Sequence, residues 1–174
     1  MVIWLIGLAG SGKSSIGRVL YQRMKAANPA TVFLDGDHVR EIMGGDLGHT
    51  IEDRKRNGQR ICNLSRYLDR QDIDVVACVL SLFHDQQEQN REEIEEYFEI
   101  YIDVPMEVLE ARDQKQLYSG ARAGRIRDVA GIDIPFSPPK RPDLIIENGE
   151  TLTDLTVHAN AILAMIADRK SALA

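Results

Sequence analysis

The stretch Gly7-Leu8-Ala9-Gly10-Ser11-Gly12-Lys13-Ser14 decides the fold of this chain. It matches the phosphate-loop pattern G-x-x-x-x-G-K-[ST] at every fixed position. The apolar run 2–6 before it predicts a buried strand, and apolar residues at helical spacing predict a helix over residues 15–27. Because the motif needs a strand before it and a helix after it, we interpret the stretch as a phosphate-binding loop and not as a simple glycine turn.

The phosphate loop predicts which groups hold a nucleotide. Its glycines allow backbone N–H groups to surround phosphate oxygens, and the following helix adds the positive end of its dipole. In this pattern Lys13 reaches the β- and γ-phosphates, and the Ser14 hydroxyl binds Mg²⁺. The expected cofactors are therefore ATP and Mg²⁺, and the expected ATP contacts in this stretch are Gly7, Gly10, Ser11, Gly12, Lys13, Ser14 and Ser15.

The composition fits one globular domain over residues 1–174. A net charge of −6 argues against a general nucleic-acid partner, which would need an overall basic surface. The first predicted strand begins at residue 2, so we expect no targeting peptide, and no apolar run approaches the ~20 residues of a membrane span. Cys62 and Cys78 are expected to be buried free thiols, and together these features favour a cytoplasmic protein without a membrane partner.

Predicted strands alternate with helices along the chain. A last amphipathic helix is predicted after a cap at Thr151, and further strands are predicted at residues 31–34, 73–80, 97–103 and 144–146. This alternation predicts an α/β fold, the three-layer sandwich of a P-loop kinase with a mostly parallel five-stranded sheet and helices on both faces. Weak periodicity with several glycines and four prolines over residues 119–142 predicts a lid, placed at roughly residues 113–135, followed by an extended return.

Two carboxylates follow the second predicted strand, in the stretch Asp35-Gly36-Asp37. Ligands gather at the carboxyl ends of parallel strands, so this stretch and residues 81–84 should lie beside the phosphate loop. Asp35 would then join Ser14 at the metal, and either aspartate would act as base for an acceptor hydroxyl. The alternative is a turn in which Asp37 only caps the next helix. Opposite a phosphate loop we favour the catalytic interpretation.

Several cations have a spacing that suits an anionic acceptor. Arg40 lies one helical turn after Asp37, and Arg54, Asn57 and Arg60 recur every three residues. In the predicted lid, Arg112 and Lys115 are the cations best placed to shield a transferring phosphoryl group, with Arg112 on the ATP side. The alternative for each of these side chains is a solvated surface.

Over roughly residues 2–147, the chain resembles the adenylylsulfate (APS) kinases, with the matching motifs in the same order. The resemblance rests on the phosphate loop, on Leu34-Asp35-Gly36-Asp37-His38-Val39-Arg40, on residues 103–113, and on a lid running from Ala121-Arg122-Ala123-Gly124 to Gly131-Ile132-Asp133. It implies transfer of the γ-phosphoryl group of MgATP to the 3′-hydroxyl of APS, and a homodimer is common in the family. By matching positions it implies roles for Lys13 and Ser14 at ATP, for Asp35 and Asp37 at the metal and the acceptor hydroxyl, for Arg40, Arg54 and Asn57 at the acceptor, and for Lys115 over the phosphates.

The departures from the family pattern fall on the acceptor side. APS kinases usually place two phenylalanines on the acceptor adenine, where this chain has His49 and Val129. The family's Ile-Ser-Pro-aromatic block is Leu80-Ser81-Leu82-Phe83, so Ser81 and Phe83 are expected at the acceptor without the proline. An aromatic stack on a base is worth about 1–3 kcal/mol, so these changes should reshape the base pocket.

Two acceptors therefore stay open within the same reaction. One interpretation is an APS kinase with a looser adenine site, and the other is a kinase for another small nucleotide, such as cytidine diphosphoramidate in surface-polysaccharide modification. A gluconate- or shikimate-type kinase would not need the Gly-Ile-Asp lid block. A regulatory protein that binds ATP without turnover would not need Lys13, Ser14, Asp35 and Asp37 together.

Overall fold

The structure, a computed structural model, describes residues 1–149 and 155–173, and its strands form one parallel sheet. The strand order is β2-β3-β1-β4-β5, and each neighbouring pair is parallel. The strands are β1 (Val2–Ile6), β2 (Thr31–Asp35), β3 (Asp74–Val79), β4 (Tyr97–Asp103) and β5 (Leu144–Glu147). The predicted five-stranded α/β architecture is confirmed, and the sheet is parallel throughout.

Helices connect these strands. The longest are α1 (Lys13–Ala27), α3 (Ile51–Asp69) and α7 (Thr156–Leu173), and the shorter ones are α2 (Gly36–Ile42), α4 (His84–Glu93), α5 (Met106–Arg112) and α6 (Leu117–Arg122). Helix α1 begins two residues earlier than predicted, because Gly12 takes a left-handed φ of 90° that ends the loop directly before Lys13. The predicted cap at Thr151 lies outside the described residues.

The central strand explains why the chain folds around the phosphate loop. All five residues of β1 are buried, and they alternate between two apolar cores. Ile3 and Leu5 pack in the core that includes α1 and α7, whereas Val2, Trp4 and Ile6 pack in the core that includes α3. A strand covered by helices on both faces needs no polar residues, which accounts for the unbroken apolar run before the loop.

The lid is more regular than the sequence indicated, since α6 and a short 3₁₀ turn lie within it. The Asp113 carboxylate accepts hydrogen bonds from the backbone N–H groups of Tyr118 and Ser119, in the first turn of α6. Asp113, Lys115 and Gln116 have positive φ values, so the turn before α6 holds three non-glycine residues in a conformation that L-residues rarely adopt.

The predictions for the two cysteines are confirmed, since Cys62 in α3 and Cys78 in β3 are buried free thiols. No helix in the part of the chain that the structure describes is long and apolar enough to cross a membrane.

Candidate active site

The phosphate loop joins β1 to α1 at the carboxyl edge of the sheet. Lys13 lies in the first turn of α1, and its ammonium donates to the carbonyl oxygen of Leu8 at 3.3 Å, across the loop. Burial lowers the pKa of Lys13, while Cys78, Asp35 and Asp37 oppose that shift. The lysine is thus held within the curve of the loop, where an anionic ligand would replace its carbonyl partner.

The acidic pair lies directly opposite the loop. The Ser14 hydroxyl donates to Asp35 Oδ2 at 2.6 Å, and Asp35 Oδ1 accepts from the backbone N–H of Asp37 at 3.1 Å. Asp35, and not Asp37, is therefore the cap of α2, so the alternative in which Asp37 caps that helix is wrong. Asp37 forms an ion pair with Arg40 at 2.9 Å, and its side chain is 78 % exposed. The Asp35 carboxylate is therefore held by Ser14 and by the backbone of α2, whereas the Asp37 carboxylate is largely open to solvent.

A single cavity of about 470 Å³ lies between these elements and the lid. Its walls come from the phosphate loop and α1, from the ends of β2 and β3, from α2 and α3, and from the lid, including residues 126–130. The predicted site residues that line it are Gly10, Lys13, Ser14, Asp35, Asp37, Arg40, His49, Arg54, Asn57, Ser81, Phe83, Lys115 and Val129. The sequence therefore indicated most of one continuous site.

The other predicted ATP contacts lie behind or beside the cavity wall. Gly7, Ser11, Gly12, Ser15 and Arg112 do not line the cavity. Ser15 is exposed on α1, and Arg112 donates to the carbonyl oxygen of Gly10 at 3.1 Å. Arg60, which was expected to share the polar face of α3 with Arg54, instead binds Asp46 through two hydrogen bonds.

Arg54 connects two walls of the cavity, one at His49 and one at Asp128 and Val129. We call them the base walls, because the sequence predicted the acceptor base between His49 and Val129. Its Nε donates to the carbonyl oxygen of His49 at 2.8 Å, and one terminal nitrogen donates to that of Asp128 at 2.7 Å. The Asp133 carboxylate accepts from the backbone N–H groups of Asp128 and Val129. The guanidinium was expected to face the acceptor, but both of these bonds go to backbone carbonyls, so its first effect is to fix the spacing of His49 and Val129.

The side chains of the base walls are small or polar. Val129 is buried at the cavity edge, whereas His49 is exposed. Partial desolvation of the imidazole lowers the pKa of His49, and the positive charges of Arg40 and Arg54 lower it further. An imidazole with a lowered pKa is mainly neutral at pH 7, and a neutral ring can stack on a base.

Three further predicted acceptor residues have different local partners. Asn57 donates to the carbonyl oxygen of Gly36 at 3.0 Å, and its buried Oδ1 has no hydrogen-bond partner among the described residues. The Ser81 hydroxyl accepts from Trp4 Nε1 and from Gln87 Nε2, each at 3.1 Å, so it links β1 to α4. The ring of Phe83 lies 5.7 Å from the Lys55 ammonium. Asn57 is thus the one of the three with an unused buried acceptor.

Sequence reasoning missed some residues of the cavity wall. Arg18 lies one helical turn after Ser14, which is a spacing that the sequence could have revealed. Gln86 is buried and donates to the carbonyl oxygen of Lys55 at 2.9 Å, and Asp128 has a φ of 62°. No motif marks Gln86 or Asp128, because only the fold brings α4 and the lid to the same cavity.

A strand, a phosphate loop and a helix, with an acidic pair at the end of β2 on the same edge of the sheet, together define a P-loop kinase. Residues 1–147 match the protein family described as Adenylylsulphate kinase. The chain therefore belongs to the adenylylsulphate kinase family, and it is an ATP-dependent kinase that phosphorylates a hydroxyl group.

The known proteins that are similar to this chain are named for more than one acceptor. An adenylyl-sulfate kinase of Paraburkholderia xenovorans is 42 % identical over 147 residues, covering 84 % of this chain and 82 % of that protein. A cytidine diphosphoramidate kinase of Campylobacter jejuni is 39 % identical over 150 residues, covering 84 % and 85 %. The structure of the Mycobacterium tuberculosis APS kinase CysC with AMPPNP and APS superposes with a TM-score of 0.84 at 30 % identity, covering 95 % of this chain and 96 % of that one.

Proposed function

We propose that this enzyme transfers the γ-phosphoryl group of ATP to the ribose 3′-hydroxyl of a small nucleotide, with APS as the acceptor. The observation that carries the proposal is the pairing of the Ser14 hydroxyl with Asp35 at 2.6 Å, beside the open carboxylate of Asp37, in the cavity that also contains Lys13. Phosphoryl transfer needs such a combination of charge neutralisation, metal ligation and a base.

The residues present fit ATP with Mg²⁺. Mg²⁺ is usually held by one or two carboxylates together with phosphate oxygens and water, and Ser14 with Asp35 provides a hydroxyl and a carboxylate of that kind. When bound, the ion neutralises charge on the phosphates. Lys13 would bind the β- and γ-phosphates, and Lys115, exposed at the cavity edge, would cover them when the lid at roughly residues 113–135 closes.

Asp37 is the proposed base. Both oxygens of Asp35 already accept hydrogen bonds, one from Ser14 and one from the backbone of Asp37. Asp37 is open to the cavity, and its ion pair with Arg40 orients the carboxylate. In the proposed reaction the acceptor hydroxyl gives its proton to Asp37 as its oxygen attacks the γ-phosphorus. The bond from the γ-phosphorus to the β,γ-bridging oxygen breaks, and ADP leaves with that bond's electron pair.

The acceptor would occupy the wall formed by α3 and the lid. The unpartnered Oδ1 of Asn57 is available to a hydroxyl donor of the ribose, and Arg40 would offer positive charge to the acceptor's phosphate. His49, Val129, Ser81 and Phe83 would surround the base. Arg54 supports these contacts by holding the His49 and Asp128 backbones.

Cytidine diphosphoramidate is the second candidate acceptor. The observation that favours it is the base wall itself, since valine provides no aromatic face at position 129. A pyrimidine offers less stacking area than adenine, so it loses less when a phenylalanine is replaced by valine.

One experiment separates the two acceptors. Purified enzyme with MgATP is given APS or cytidine diphosphoramidate, and ADP release and the phosphorylated product are measured. We expect turnover with APS at a higher kcat/KM. Higher kcat/KM with the cytidine nucleotide would move the assignment to the second candidate, and ADP release with neither would contradict both.

The quaternary state and the location of the enzyme are further parts of the proposal. Family resemblance supports a homodimer, and two buried free thiols suit the reducing cytoplasm. Light scattering coupled to size exclusion tests the dimer, with a mass near 39 kDa expected from a 19.5 kDa chain. Cell fractionation with an antibody to the protein tests the location.

A further inference from the structure

Three consecutive carbonyl groups of the phosphate loop are held from outside the cavity. The Tyr118 hydroxyl donates to the carbonyl oxygen of Ala9 at 2.7 Å, and Arg112 donates to that of Gly10 at 3.1 Å. The Asn148 side-chain amide donates to the carbonyl oxygen of Ser11 at 2.8 Å. The three donors come from α6, from the end of α5 and from the residue after β5, so separate parts of the fold meet on one side of the loop.

The planar peptide bond links these contacts to phosphate binding. In a trans peptide the carbonyl of one residue and the N–H of the next point in opposite directions. Fixing the carbonyl of Ala9 therefore turns the N–H of Gly10 away from Tyr118, and fixing the carbonyl of Ser11 turns the N–H of Gly12 away from Asn148. The N–H of Ser11 donates to the carbonyl oxygen of Leu8 at 3.2 Å, so it is used within the loop. The contacts with Tyr118 and Asn148 therefore set the direction of the amides of Gly10 and Gly12.

Asn148 is built into the back of the loop. Its side chain is buried, its own N–H donates to the carbonyl oxygen of Asp103, and its carbonyl oxygen accepts from Arg112 at 2.8 Å. A Cβ on Gly12 would lie 2.6 Å from the Asn148 side-chain nitrogen, so the glycine is needed for this close approach as well as for its φ of 90°.

Tyr118 connects the loop to the lid. It is 1 % exposed, and burial raises the pKa of its phenol to about 12, so the hydroxyl remains a donor at physiological pH. Since Tyr118 belongs to α6, this hydrogen bond joins the lid to the peptide that follows Ala9.

We propose that Tyr118 and Asn148 are positioning residues for phosphate binding, which hold the loop carbonyls outward so that the amides of Gly10 and Gly12 are directed at the nucleotide. This inference rests on the proposed binding of ATP at the loop. Neither side chain touches the nucleotide, and each acts through the backbone.

The test compares Tyr118→Phe and Asn148→Ala with Tyr97→Phe. Tyr97 is equally buried and donates to Glu99, but it lies at the opposite end of β4 from the loop. MgADP affinity is measured by calorimetry, thermal unfolding by fluorescence, and KM for ATP and for the acceptor by ADP release. Tyr118→Phe keeps the packed ring, so at least one test variant retains its core contacts.

We expect each of the two variants to weaken MgADP binding and to raise KM for ATP about fivefold, which is the usual net effect of one hydrogen bond. KM for the acceptor and MgADP binding by Tyr97→Phe should stay within about twofold of wild type, since neither depends on the loop carbonyls. The inference is overturned if Tyr118→Phe and Asn148→Ala unfold earlier but bind MgADP as wild type does, or if Tyr97→Phe loses equal affinity. Failure of the wild-type enzyme itself to bind MgADP would contradict the proposed function instead.

Discussion

The two halves of the cavity are built differently. On the phosphate-loop side, side chains from α5, α6 and the end of β5 bind successive loop carbonyls, and the loop follows a fully buried strand. On the acceptor side, one guanidinium bridges His49 to Asp128, and Asp128 has a positive φ.

This difference shows where the family pattern can change. An alteration behind the loop would disturb several interlocked hydrogen bonds, whereas an alteration at His49 changes an exposed side chain. Accordingly, the residues that would handle ATP follow the family pattern, and the substitutions gather where the acceptor base would lie. The predictions below test whether the two halves are as independent as this arrangement suggests.

The largest effect is expected on the loop side, for Lys13→Met. Removing a preorganised cation from the transferring phosphoryl group should lower kcat/KM about a thousandfold. Steady-state ADP release measures the loss. Lys25→Met is the matched control, because Lys25 lies in the same helix but donates to the carbonyl oxygen of Thr31. A loss of less than tenfold for Lys13→Met would remove this lysine from the transfer step.

Asp37→Asn tests the boundary between the two halves. If Asp37 takes the acceptor proton, the variant should lower kcat about a hundredfold, with KM for ATP nearly unchanged. The control is Asp46→Asn, which removes a carboxylate that pairs with Arg60 outside the cavity. An unchanged kcat would transfer the role of base to another group, and a large rise in KM for ATP would place Asp37 on the nucleotide side.

The sequence predicted the secondary structure of the loop side well because its signals are local, although five of the predicted ATP contacts do not line the cavity. Strand β1, the glycines and the start of α1 are adjacent in the chain, and each has a physical requirement that limits which residues fit. The same holds for Asp35, although the alternative interpretation of the sequence placed the cap of α2 at Asp37. The contact of Asp35 with Ser14 could not be predicted, because Ser14 comes from a different segment.

Apart from Arg60, every acceptor residue that the sequence predicted lines the cavity, but the contacts that these residues make were less predictable, because this side is assembled from distant segments. Arg54 and Asp128 are 74 positions apart, and nothing in the spacing of Arg54 indicates that its partners are carbonyl groups. Helix α6 was missed since its six residues are too few to show a clear period. The role of Asn148 also depends on three segments meeting behind the loop, which no local pattern records.

His49→Phe should change acceptor preference without changing ATP binding. A phenyl ring in place of the imidazole offers a larger stacking face, which would favour adenine over cytosine. A gain of about 1 kcal/mol, the low end for one stack, would raise the relative kcat/KM about fivefold. Competition between APS and cytidine diphosphoramidate measures the ratio. Val157→Phe, at an exposed position of α7, is the control for an added phenyl ring. An unchanged ratio would mean that position 49 does not contact the base.

The smallest effect concerns the charge state of His49. Partial desolvation, Arg40 and Arg54 lower its pKa below the ordinary 6.5, with Asp37 and Asp128 opposing the shift. As the pH falls, the imidazole of the unfolded chain therefore becomes protonated before that of the folded chain. The stability contributed by neutral His49 is complete above pH 6.5 and is lost as the pH falls through the folded pKa. Arg40→Gln should raise the pKa towards 6.5 and flatten that loss.

Proton NMR titration of the imidazole signals measures this shift, and the signal absent from His49→Phe identifies the residue. Equal pKa values in wild type and Arg40→Gln would mean that the charge of Arg40 does not reach the base wall. A higher value in the variant would mean that the cation paired with Asp37 also acts on the base wall. In that case the base pocket is tuned by the catalytic edge of the cavity, and substitutions at His49 would not be independent of the transfer step.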